Sequence, residues 1–411
     1  MLKTKPYILF LLAAFLLFTC LVCQSQEQNK ITFKPYGFVK FTAWFDSRQV
    51  DGNRDDLMLF YPLNRNIGQD GKDLNARHSM NFSAMSTRAG IRLGGPDAFG
   101  AKATALIEAD YTGAGATMSN TFRLRHAYLN LRWNNTELLV GQYWHPMFVP
   151  EVFPDLYSLN TGAPFQPFIR NPQISFRYYA GKQRFEASLL TQRDNTSDGP
   201  LGRSPVYLKN AALPNIHLQW QFKEDALVIG AAYDYKRIMP IISTGMLVST
   251  RETVEGHSFM AFAKTGTKDW NWRFKAIYGQ NLTEHLLLGG YAERAIQPAT
   301  GIKTYTPTNH LFLWSELCFE YQQFHYGLFA GYAKNYGTSH PNRGIYFAKG
   351  HNIDQLMRFS PIISYQSGPV KLAGELEYTR AYYGTPDEQG KVKQTRAIGN
   401  VRLTAAAIYI F

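Results

Sequence analysis

From Lys34 onward, apolar and polar residues alternate with a period of two, in segments of roughly ten residues. Over 37–46, Gly37, Val39, Phe41, Ala43 and Phe45 take one face and Lys40, Thr42 and Asp46 the other. The same parity separates Ala101, Ala103, Ala105, Ile107, Ala109 and Tyr111 from Lys102, Thr104, Glu108 and Asp110. Near 311–321, Leu311, Leu313, Leu317, Phe319 and Tyr321 oppose His310, Glu316, Glu320 and Gln322. A soluble sheet tolerates mixed faces. A strand with one face in lipid does not, because Arg or Lys there costs about 2–4 kcal/mol at the midplane.

The connections alternate in length. Short ones, each with turn residues or a polar break, fall at 95–100, 134–135, 181–183, 223–225, 265–269, 322–324 and 367–369. Longer ones lie between them at 47–77, 112–121, 145–172, 194–214, 237–253, 280–309, 335–354 and 381–393. Seven turns and eight loops join sixteen strands with both chain ends on the short-turn side. The expected fold is all-β: one transmembrane antiparallel β-barrel of about 16 strands, with short periplasmic turns and long extracellular loops. Two places strain the pattern. Pro361 falls inside the fourteenth strand, where a missing N–H implies a bulge. Parity also changes between Arg123/Arg125 and Asn130/Arg132, which a bulge near Arg125 would repair.

The N-terminus differs. Lys3 and Lys5 precede an apolar run over 7–23 that ends in a polar stretch, which reads as a secretory signal peptide over 1–25, leaving 26–411 as one barrel domain. A retained anchor or a lipid attachment at Cys20 or Cys23 is the alternative. Removing 1–25 takes away two lysines and no acid, so the net charge falls from +12 to +10, and Cys318 is left without a disulfide partner.

Composition closes other classes. With 45% hydrophobic, 15% aromatic and 18% charged residues, the chain is neither collagen-like, nor disordered, nor a cysteine-stapled scaffold. The many rings suit interfacial girdles, for which Tyr36, Phe45, Tyr111, Trp133, Tyr143, Trp220, Trp270 and Tyr409 stand near strand ends.

Sixteen strands enclose an aqueous channel rather than a packed core, so inward side chains carry the chemistry. Parity turns Lys40, Arg88, Arg92, Arg177, Arg273, Lys275, Arg358, Arg396 and Arg402 inward, with Arg123 and Arg125 following once the register is repaired. Lys40, Arg88, Arg92, Arg123, Arg125, Arg396 and Arg402 belong to neighbouring strands of the closed ring and form a candidate basic wall. Such a wall concentrates anions, and the guanidinium fork matches carboxylate and phosphate. The opposing reading is that these cations pair with Glu108, Asp110, Glu316, Glu320, Glu375 and Glu377. Histidines are scattered without metal-ligand spacing, so no metal or cofactor is expected. The run Asp51 to Asp56 begins like a calcium loop, but Pro62 stands where the closing Glu is required. No phosphate loop, dinucleotide fingerprint or nucleophile elbow occurs, and no nucleic-acid partner is expected.

The segments 122–133 (FRLRHAYLNLRW) and 138–143 (LLVGQY) resemble the fourth and fifth strands of DcaP-like and phosphate-selective porins. The alternating final strand ending in Phe411 resembles the signal by which outer-membrane proteins engage the barrel-assembly machinery. The resemblance to a sixteen-stranded Gram-negative porin implies a site in the outer membrane among lipid and lipopolysaccharide. It also implies a homotrimer and a water-filled channel for passive diffusion of small anionic solutes, organic or phosphorylated. The porin loop at the position of 145–172 folds inward as a constriction. By that resemblance, Glu151 and Asp155 face the basic wall and Arg170 sits at the loop base. The loop's aromatic residues then either line a contact for organic anions or form its private core. The implied protein is not an enzyme. The alternatives are a structural or adhesive barrel with partner-binding loops, or a barrel hydrolase.

Overall fold

A computed structural model describes residues 31–113 and 118–411, so the expected signal segment lies outside the described residues. The chain opens with β1 (Thr32–Asp46), and the first long connection carries the hairpin β2 (Val50–Asn53) and β3 (Met58–Pro62). One stave follows in two pieces, β4 (Ser79–Ser83) and β5 (Arg88–Gly94), both paired with β1. Next come β6 (Lys102–Asp110), β7 (Arg123–Arg132), β8 (Thr136–Trp144), β9 (Arg170–Ala180), β10 (Gln183–Leu190), β11 (Asn215–Glu224), β12 (Leu227–Ile238), β13 (Val254–Gly266) and β14 (Trp270–Gln280). The remainder is β15 (Gly289–Ile296), β16 (Lys303–Tyr321), β17 (Phe324–Thr338), β18 (Tyr346–Lys349), β19 (Ile353–Ser367), β20 (Val370–Pro386) and β21 (Val392–Ile410).

Every barrel stave pairs antiparallel with its sequence neighbour, and β21 closes the ring on β1 from Phe38↔Ile410 to Asp46↔Arg402. Set aside the β2–β3 hairpin and the two strands β15 and β18, which pair with each other beyond β14, and sixteen staves remain. The seven short turns lie where the polar breaks predicted them. Several outer loops are shorter than expected because β16, β17, β20 and β21 run to 15–19 residues; only 387–391 separate β20 from β21.

Parity holds around the ring. On β1, Phe41 is 48% exposed beside Thr42 at 1%; on β21, Leu403 is 51% exposed beside Arg402 at 1%. Outward apolar side chains satisfy lipid while closure leaves no free edge. The expected bulge on β7 is present: Glu108 pairs with His126 and Ala109 with Leu124, so Arg125 is the extra residue. The expected bulge at Pro361 is a correction. On one side Leu328 faces Pro361 in unbroken register, and on the other the pairs Phe359↔Tyr378 and Ile362↔Glu375 keep one register across a gap. The ladder omits a bond rather than adding a residue. Two girdle residues are also corrected. Tyr36 donates its hydroxyl to the lumen residue Glu108, and Tyr143 packs on His126 and Tyr128.

The largest departure concerns the interior. An apolar core occupies the lumen along β12 to β21, where Phe262, Ile277, Phe312, Trp314, Phe329, Leu356 and Ala381 point inward. Residues from three loops fill it: Met58 and Phe60 from the first, Met147, Phe148, Val149, Val152, Phe165 and Phe168 from 145–169, and Leu282 with Leu286 to Leu288 from the loop before β15. The barrel is packed on this side and polar on the other.

Candidate constriction and charged lumen wall

The loop 145–169 lies inside the barrel. Its backbone is held by inward charged groups of the wall. Lys275 donates to the carbonyls of Met147 and Phe148 at 3.1 and 2.7 Å, and Arg273 to that of Phe153 at 3.1 Å. The Glu316 carboxylate accepts from Asp155 N at 2.8 Å, and Glu375 accepts from Tyr157 N and Ser158 N at 2.8 Å each. Arg358 donates to Ala163 O at 2.7 Å and also to the Leu59 and Phe60 carbonyls of the first loop at 3.1 and 3.0 Å. Lys40 donates to Tyr157 O at 2.6 Å. Each irregular backbone group thereby gains the partner that a buried loop needs. Phe165 and Phe168 are almost fully enclosed and belong to the loop's core, whereas Phe153 is half-buried.

Opposite this packed side, β5 to β9 carry a charge network. The β7 bulge turns both Arg125 and His126 inward beside Arg123. Arg125 pairs with Glu108 and Asp110 at 2.7 Å each. Arg123 pairs with Asp110 and Asp194 at 2.8 Å each. Arg170, at the root of β9, meets Asp194 at 2.8 Å with its guanidinium 3.8 Å above the Trp144 ring. Arg54 approaches Asp194 at 3.8 Å and donates to the Thr112 and Gly113 carbonyls. Arg88 lies 3.7 Å from Glu108. Five guanidiniums thus share three carboxylates. Burial alone would raise the Asp194 carboxyl, yet Arg123, Arg170 and Arg54 hold it down at about 2.

The expected single wall is therefore divided. Arg88, Arg123 and Arg125 come together and gain Arg170. Arg402 instead pairs with Asp46 at 2.6 Å, and Arg396 lies exposed near the outer rim opposite Tyr383. Arg92 is exposed and stacks 4.1 Å from the Tyr36 ring centroid. Arg177 pairs with Glu137 and Glu186, at 2.7 and 3.0 Å. Glu151 and Asp155 do not face the Arg88–Arg125 group. Glu151 meets Arg184 of β10 at 3.0 Å, and Asp155 lies 3.7 Å from His325. With Phe153, Lys223, Lys264 and Arg273 they line a cavity of about 430 Å³ below the loop.

Sequence periodicity missed Asp194 and Arg54, which stand in long loops where no parity applies. It named the Arg125 bulge but not that His126 would turn inward with it. The histidines, scattered along the sequence, are partly gathered in space. His145 of the loop root, Asp234 of β12 and His285 of the 281–288 loop converge, with their ligating atoms all within 4.8 Å of one another.

Neither a protein-family model nor a curated protein matches this chain. Solved structures do. The outer membrane channel DcaP of Acinetobacter baumannii is similar at TM-score 0.70 and 15% identity, covering 94% of this chain and 100% of that one. OmpT of Vibrio cholerae is similar at 0.56 and 11%, with 94% and 100% covered. An anion-selective porin from Comamonas acidovorans is similar at 0.53 and 11%, with 93% and 100% covered. At such identities the likeness concerns architecture. A closed sixteen-stave barrel, an apolar exterior and an inward-folded loop after the fifth stave give this chain the fold of an outer-membrane porin.

Proposed function

We propose that this chain is a non-enzymatic diffusion channel of the outer membrane that favours small anions, including carboxylated or phosphorylated organic ones. The observation that carries the reading is the excess of positive charge on one wall: Arg54, Arg88, Arg123, Arg125 and Arg170 against Glu108, Asp110 and Asp194. Four of these arginines are nearly enclosed, so they set the potential without touching solute. Passing anions meet the more open Arg88, Arg92 and Lys40, the last donating, among the described residues, to a carbonyl and not to a carboxylate. Low-dielectric walls strengthen that field. The likeness to a porin described as anion-selective supports the selectivity, and a structure of OmpT described as a trimer form supports assembly as a homotrimer. Lipid and lipopolysaccharide would surround the exterior, and the Phe411 terminus would serve the assembly machinery.

The packed half of the lumen favours a second reading, a structural barrel with partner-binding loops. Planar-bilayer recording under a salt gradient separates the two. The channel reading predicts conductance with an anion-side reversal potential, moved toward cations in the Arg88→Glu, Arg92→Glu double variant. Absence of conductance from folded protein supports the structural barrel, and a cation-side potential in the wild type refutes anion preference.

A further inference from the structure

His145 is the first residue of the constriction loop and is fully enclosed. His285 belongs to a short turn of the 281–288 loop, and its carbonyl accepts from Phe168 N at 3.0 Å, so it touches the far end of the same constriction loop. Asp234 projects inward from β12. The His145 and His285 rings meet edge to face with centroids 4.6 Å apart. His145 Nε2 lies 3.4 Å from Asp234 Oδ2.

Two features of this cluster lack an explanation within the protein. Both ring nitrogens of His285 and Nε2 of His145 are buried without a hydrogen-bond partner, a condition native interiors avoid. Asp234 is a buried carboxylate whose charged neighbours, among the described residues, are imidazoles rather than Lys or Arg. The nearby Lys236 instead donates to both oxygens of Glu284, each at 2.6 Å. A buried carboxylate requires a compensating positive charge. One cation answers both needs.

We propose that His145, His285 and Asp234 bind one divalent transition-metal ion, with zinc the fitting class, which clasps the constriction loop to the barrel wall and to the 281–288 loop. Two imidazoles and a carboxylate are a borderline donor set suited to zinc, with a fourth position left for water. Zinc bonds of about 2.1 Å place tetrahedral ligands roughly 3.4 Å apart, so the His145–Asp234 edge already fits and His285 has to close inward. His217, whose Nδ1 lies 3.1 Å from Asp234 Oδ2, orients the carboxylate as an outer-shell partner. Both rings are fully enclosed, and their unpaired nitrogens offer the lone pairs that ligation uses. Ligation through Nε2 puts the His145 proton on Nδ1. That nitrogen now accepts from Met147 N at 3.2 Å, so the turn must shift on binding.

The test uses the full barrel, purified in detergent, stripped with a chelator and titrated with cobalt(II), then separately loaded with zinc and desalted. The proposal predicts visible absorption of a four-coordinate ion with nitrogen and oxygen ligands, and one zinc retained per chain. His285→Ala and Asp234→Asn, each confirmed as a folded barrel by circular dichroism, should weaken zinc at least ~10-fold, whereas His78→Ala at an exposed site should not. A wild-type spectrum of aqueous cobalt overturns the proposal without any variant. Equal zinc retention by wild type and both site variants also overturns it, because the metal then binds elsewhere.

Discussion

Phe165 and Arg123 sit on opposite sides of one lumen, both almost out of reach of water, and different forces keep them there. Phe165 packs on Phe329 and occupies the space that Gly331 leaves; a Cβ at Gly331 would stand 2.6 Å from its ring. Burying such a ring contributes about 1.5–3 kcal/mol whatever the pH. Arg123 is enclosed by Asp110 and Asp194, and its side gains only while every partner is present. The apolar half anchors the constriction loop without specifying charge. The charged half forgoes some of that tolerance and keeps an unbalanced positive potential.

Breaking the charged half at its centre has the largest expected effect. Asp194→Asn leaves Arg54, Arg123 and Arg170 without their common carboxylate, and a loss of about 4 kcal/mol is expected in thermal unfolding of the purified barrel. A variant as stable as wild type would show that the network is not cooperative. Phe165→Ala opens a cavity in the apolar half and should cost about 3 kcal/mol, with faster proteolysis of 145–169 while the ion pairs stay intact. Proteolysis at the wild-type rate would shift the anchoring to the charged contacts.

Acid separates the halves further. The Asp194 carboxyl is depressed to about 2, so its contribution is complete above the ordinary carboxylate range near pH 4 and is lost as pH falls toward about 2. The stability gap between wild type and Asp194→Asn should therefore shrink across that window, while the gap to Phe165→Ala should not follow it. The smallest effect belongs to Arg92→Gln, an exposed cation stacked on Tyr36. Stability should change by less than about 0.5 kcal/mol, and the reversal potential should move slightly toward cations, less than for Arg88→Gln. A larger shift for Arg92→Gln would place the filter nearer the periplasmic rim.

Much of this architecture is legible along the chain because a strand in lipid obeys a local rule. Phe41, Leu129, Phe359 and Leu403 had to alternate with polar neighbours, and each polar break had to be a turn. The β7 bulge was legible for the same reason, as a slip of parity at Arg125. Pro361 misled because a strand can drop one bond without changing register. The site was legible in part. Arg88, Arg123 and Arg125 were named from parity and Arg170 from the resemblance to porins, but their partners Asp194 and Arg54 stand in loops with no period to read. The histidine cluster was invisible for the same reason, being drawn from a strand and two loops.

By itself the sequence determined the number of staves, their inward and outward faces and the excess of basic residues, because each depends on near neighbours and on the solvent outside. Only the tertiary structure decided that half of the lumen is packed, which arginines are neutralised and where the histidines meet. Those outcomes depend on the paths of three long loops inside the barrel, where contacts between residues far apart in the chain set burial and charge pairing.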